Sequence, residues 1–137
     1  MLRGCREVDL KTNLFGQEFA QPVILGPVGM AGMYRRRVEA QAAMAARAAG
    51  VPFCLSTLSL CSLAEVASAV GNSHLWFQLY ALRDRAFMRD PLETAKSFGA
   101  RVLVFTVDMP AWGGVPQRSL RNVRSESSVA TAAADAW

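Results

Sequence analysis

The feature that most constrains the fold is a recurrence: short runs of consecutive apolar residues, each followed by a longer stretch of helical character. The runs are Pro22–Leu25, Phe53–Leu55, Leu75–Leu79 and Val102–Val107. Runs with so little polar alternation suit strands buried on both faces, and such strands belong to parallel sheets whose crossovers are helices. After the first run come Gly26, Pro27, Val28 and Gly29, then Val38–Ala49, alanine-rich and of high helix propensity. Its buried face is expected to carry Val38, Ala42, Ala45 and Ala49, with Gly50 as the C′ residue. Ser62 and Glu65 have the capping-box spacing that opens a second helix, ended by Gly71. Asp90 and Pro91 predict the N-cap and first residue of a third, which ends before Gly99.

Four βα units in series fit right-handed crossovers in either a barrel or an open, doubly wound sheet. Gly26, Gly29 and Gly32 lack the G-x-G-x-x-G spacing of a dinucleotide-binding turn, which favours the barrel. A complete (β/α)8 barrel needs ~250 residues. The 137 residues here therefore predict an α/β chain forming part of a TIM barrel, about its first four βα units, over residues 1–110. After Pro110 neither strand nor helix period persists, and residues 111–137 are expected to be irregular.

With 52% hydrophobic and 19% charged residues, the composition is that of a globular domain. The net charge of +4 raises the question of nucleic acid. Arg35, Arg36 and Arg37 form the only basic run, without interleaved aromatics, and read as a solvated helix start. A basic binding module would have to use Arg118, Arg121 and Arg124. Cys5, Cys54 and Cys61 lack metal-ligand spacing, so neither a zinc site nor a disulfide framework is expected, and a reducing cytoplasm is. Met1–Asp9 does not read as a signal peptide, and the chain has no run of ~18 uncharged apolar residues, so any membrane contact is expected to be peripheral.

In a parallel barrel the reacting groups lie at the C-terminal ends of the strands. Those positions are Pro27–Gly29, Ser56–Ser59, Gln78–Tyr80 and Thr106–Asp108. They offer uncharged hydrogen-bonding side chains and a Pro/Gly backbone able to approach a flat ligand, a set suited to a polar heterocycle. Gln78 stands out, because an amide among Trp76, Phe77 and Leu79 is costly to bury without partners. His74 precedes the third strand, at the opposite end, and is a poor candidate for a base. Glu39, Glu65 and Glu93 fall on helices and read as solvated surface charges.

Six blocks in order, Pro22–Gly29, Gly32–Arg36, Leu55–Ser59, Trp76–Tyr80, Leu82–Arg85 and Leu103–Pro110, resemble the FMN-dependent 2-hydroxy-acid dehydrogenases, above all their bacterial L-lactate dehydrogenase branch. The resemblance implies that the backbone at Pro27, Val28 and Gly29 lies against the flavin ring. It further implies that Ser56, Gln78 and Thr106 hydrogen-bond FMN and that Tyr80 contacts the substrate. The implied reaction oxidises an L-2-hydroxy acid such as L-lactate to the 2-keto acid, with electrons passed to a quinone or another acceptor. A homo-oligomer is an accompanying expectation, as is a cytoplasmic location, peripheral on the inner face of the membrane.

The departures from the family are expectations too. The family's catalytic histidine, its carboxylate-binding arginine and its flavin-contacting lysine have no counterparts here, so no catalytic residue is assigned and the chain is expected to be an inactive fragment. The rival reading is a truncated, non-catalytic product. The tail from Ala111 onward can be back-translated, in a shifted frame, into a family-like segment, so a frameshift is expected.

Overall fold

The computed structural model describes residues 8–71, 74–80, 85–108 and 131–134. It opens with a hairpin of β1 (Thr12–Leu14) and β2 (Gln17–Phe19), joined through Phe15 and Gly16. Both turn residues have positive φ, 52° and 69°, the combination that matches the twist of a two-residue hairpin. The 3-10 turn Ala31–Met33 and helix α1 (Val38–Ala49) follow. Next come β3 (Phe53–Ser56), α2 (Leu63–Val70), β4 (Leu75–Tyr80), α3 (Arg85–Ser97), β5 (Val102–Thr106) and β6 (Thr131–Ala134).

Strands β3, β4 and β5 are parallel neighbours in chain order, with Cys54 opposite Trp76 and Trp76 opposite Val102. Side chains alternate across the sheet. Phe53, Leu55, Leu75, Phe77 and Leu79 face the helices and form one core with Ala43 and Ala46 of α1, Val66 and Val70 of α2, and Ala95 of α3. Cys54, Trp76 and Val102 face the other way and pack with Phe19. All three helices thus cover one face, and the strand order never reverses. That singly wound arrangement is the curvature of a partial barrel, whereas a doubly wound sheet has helices on both faces.

The hairpin closes the N-terminal end of the inner face. Phe15 and Phe19 meet Trp76 edge-on at centroid separations of 5.7 and 6.2 Å. The indole Nε1 donates to Gln17 Oε1 at 3.3 Å. His74 packs edge-on against Phe19 at 4.7 Å, at the end where side chains serve stability.

Three expectations are corrected. The first apolar run contributes only a parallel bridge from Leu25 to Phe53, and Val23 and Ile24 are exposed. Helix α1 has the predicted bounds but buries Glu39, Ala40, Ala43 and Ala46, while Ala45 and Ala49 are exposed. An alanine-rich pattern has few bulky side chains to fix its rotation, so its neighbours decide. Helix α3 starts at Arg85, upstream of the predicted cap, and carries Pro91 in its interior. Good helix formers precede the proline, and a missing N–H removes one bond without stopping the helix. Within the tail, the described residues 131–134 form β6, antiparallel to β5, where the edge of β5 offers free backbone groups to an extended segment.

Candidate functional site

At the C-terminal ends of the strands the inner face becomes polar. Ser56 lies opposite Gln78, and Tyr80 opposite Thr106. Gln78 is 2% exposed, and its burial is tolerated because every amide atom has work. Its Oε1 accepts from Ser56 Oγ and from Thr57 N, both at 3.2 Å. Its Nε2 donates to Thr106 Oγ1 at 2.7 Å. A backbone N–H can only donate, so Thr57 dictates which end of the amide is oxygen. The Thr57 hydroxyl also donates to the Gln78 carbonyl.

This row retains hydrogen-bonding capacity. Gln78 Nε2 carries a second N–H, and Thr106, having accepted from Gln78, still has its own hydroxyl hydrogen. Ser56 donates to Gln78 and accepts from Leu58 N at 3.1 Å, leaving it one lone pair. Two donors and an acceptor, all uncharged and fixed on adjacent strands, fit the edge of a heterocycle that alternates N–H and C=O. They do not fit a metal, and no cluster of metal-ligating residues occurs among the described residues.

Gly29, the last residue of the Pro27–Gly29 turn, lies beside this face. Met30 N donates to Leu58 O at 2.8 Å, tying the turn to the loop after β3. A Cβ added at Gly29 would lie 3.4 Å from Leu58 Cβ and 3.7 Å from Ser56 Oγ, so the turn comes close to the polar row. Val28 is 59% exposed. Tyr80 ends β4 and is half-buried. The sequence-predicted residues Ser56, Gln78, Thr106 and Tyr80 therefore share one face, with Gly29 of the Pro27–Gly29 turn close to Ser56.

One residue was misread. Glu39, expected to be a solvated helix charge, is 3% exposed. Its Oε1 accepts from Gly32 N at 3.0 Å and Leu60 N at 3.2 Å, and its Oε2 from Cys61 Sγ at 3.3 Å. Burial acts to raise the Glu39 pKa, but the hydrogen bonds from backbone N–H groups and the Cys61 thiol prevail, leaving it below its ordinary value. Cys61 moves up, through burial and then through its bond to that carboxylate. The other two carboxylates are nearer the expectation: Glu93 is exposed, and Glu65 is paired with Arg37 at the surface. Arg35 and Arg36 are exposed ahead of α1. Cys5, Arg118, Arg121 and Arg124 lie outside the described residues.

A family model described as FMN-dependent dehydrogenase matches residues 1–136. The L-lactate dehydrogenase of Serratia proteamaculans is 53% identical over 133 residues, which is 97% of this chain and 34% of that protein. That of Chromohalobacter salexigens is 58% identical over 113 residues, 82% of this chain and 29% of that protein. Among solved structures, a mandelate oxidase bound to (S)-4-hydroxymandelic acid superposes with a TM-score of 0.73 at 39% identity, covering 80% of this chain and 30% of that one. A mandelate oxidase variant carrying a monooxide FMN adduct gives 0.73 at 38% identity, covering 80% and 34%. The chain spans about a third of the length of the curated relatives it matches.

Proposed function

Because the chain belongs to the FMN-dependent dehydrogenase family, we propose that its strand-end face holds the ring of FMN for oxidation of an L-2-hydroxy acid, L-lactate foremost, to the 2-keto acid. The observation that carries the reading is the Ser56–Gln78–Thr106 row, whose spare capacity is two donors and one acceptor. Bound FMN supplies the two-electron acceptor for that oxidation.

The roles of the chain's own residues follow from their places. Gln78 presents its remaining N–H, with Thr57 preventing the amide from turning over. Thr106 offers a hydroxyl hydrogen beside it, and Ser56 a lone pair. The Pro27–Gly29 backbone covers one side of the ring and excludes water there. Tyr80, at the end of β4, directs its phenol toward the substrate's carboxylate or hydroxyl. Among the described residues no histidine reaches this face for proton abstraction: the sequence's one histidine, His74, packs on Phe19 at the other end of the sheet. We therefore assign these 137 residues the flavin-orienting part of the chemistry, without turnover of their own. A quinone or another acceptor, a homo-oligomer and a cytoplasmic site at the inner membrane face complete the proposal.

In the FMN-loaded enzyme, Gln78→Leu is expected to weaken FMN binding by roughly tenfold or more, since flavin and strand-end partners both lose a buried partner at ~1–3 kcal/mol. Tyr80→Phe is expected to impair lactate turnover or affinity while flavin content stays the same. Unchanged FMN affinity in the Gln78 variant, measured by flavin fluorescence, overturns the reading.

A further inference from the structure

The Pro27–Gly29 turn is poorly supported by packing. Behind it, between the turn, α1 and β3, lies an apolar cavity of about 270 Å³ bordered by Gly26, Val28, Tyr34 and Ala42. Val28, Met33 and Tyr34 are exposed. A turn with a void behind it and solvent in front is held by its hydrogen bonds. Those are the Leu25 bridge to β3 before the turn, Met30 N to Leu58 O, and, beyond it, Gly32 N to Glu39 Oε1.

We infer that Glu39 is a positioning residue for the flavin: from α1, its carboxylate fastens the loop that carries Pro27–Gly29 to the loop that follows Ser56. One oxygen, Oε1, serves Gly32 on the first loop and Leu60 on the second. The other takes the Cys61 thiol. The two loops are in close contact at the clamp, where a Cβ on Gly32 would lie 3.1 Å from Leu60 Cβ and 3.4 Å from Glu39 Oε2. Removing the carboxylate leaves two part-buried N–H groups without their shared acceptor, and they recover partners from water as the two loops separate. The distance between the Pro27–Gly29 backbone and the Ser56–Gln78 row then ceases to be fixed, and with it the width of the ring's slot. Glu39 touches neither ring nor substrate in this account.

This inference rests on the proposed flavin site, and its test separates the two. In the FMN-loaded enzyme, Glu39→Leu is expected to weaken FMN binding by roughly tenfold, as for loss of hydrogen bonds to a charged group. It should also speed hydrogen exchange at the Gly32 and Leu60 amides while amides of β4 keep their protection. Glu39→Gln keeps a carbonyl for both N–H groups and is expected to bind FMN within about threefold of the parent. Should Glu39→Leu fail to fold, Gly32→Ala presses the loops apart with the carboxylate still in place and is expected to weaken FMN binding likewise. Unchanged FMN affinity in Glu39→Leu, or in Gly32→Ala where that variant stands in, overturns the inference. It leaves the flavin site standing if Gln78→Leu still loses FMN, and takes that site down as well if Gln78→Leu does not.

Discussion

Two cysteines lie within a few residues of the site, and their surroundings set different behaviours. Cys54 is 1% exposed on the inner face, and burial pushes its thiol up to about 12 from 9.0. It is no nucleophile. Its raised value also makes stability depend on pH: between 9.0 and about 12 the unfolded chain has lost this proton while the folded chain keeps it. Stability is thus fully present below the unfolded value and falls as pH rises above it. Unfolding free energies at pH 8 and 10 are expected to fall by roughly 1 kcal/mol less in Cys54→Ala than in the parent; equal falls rule this out. Gln78 was legible in the sequence because an amide inside Trp76–Leu79 has to find partners, and strand alternation said on which face. Glu39 was not. A carboxylate on a helix outside the sheet reads as a solvated surface charge, whereas the partners that bury it, Gly32 and Leu60, are 7 and 21 residues away.

Elements were legible where a local device fixes them. Ser62 Oγ accepts from Glu65 N at 3.2 Å, as the spacing predicts. Gly50 ends α1 at φ 66°, where a Cβ would meet Ala20 Cβ at 2.9 Å. The hairpin over residues 12–19 was missed because it owes its place to Phe15 and Phe19 packing on Trp76, a partner far along the chain. In α3, Asp90 and Pro91 gave a strong cap signal, and the helix ignored it: the Thr94 hydroxyl donates to Asp90 O at 2.7 Å as it does inside a helix. The proline there is a local defect. Pro91→Ala restores an N–H and removes a clash, and is expected to stabilise the chain by about 1–3 kcal/mol. A thermal midpoint at or below the parent's would mean that the proline is better accommodated than its chemistry implies.

At the scale of the whole molecule, the three parallel strands and the Leu25 bridge form, among the described residues, an open sheet and not a closed ring. An open sheet has edges. Val23 and Ile24 lie exposed beside the Leu25 edge, with Val28, Met33 and Leu60 exposed at the C-terminal end. Unpaired strand edges next to apolar side chains favour pairing with another chain. The antiparallel strand β6 on the far edge illustrates how readily such an edge takes a partner. The proposed absence of turnover belongs to this scale too: a positioned base contributes typically 10²–10⁴ in rate, and among the described residues Asp108 is exposed after β5 while His74 packs on Phe19 at the other end of the sheet. The purified 137-residue chain is therefore expected to sediment as a concentration-dependent dimer or larger species and to show no lactate-dependent dye reduction in the presence of FMN. Monomeric sedimentation at all concentrations contradicts the open-edge argument. Lactate-dependent dye reduction that disappears in Asp108→Asn, by contrast, makes Asp108 the base and returns the full reaction to this chain.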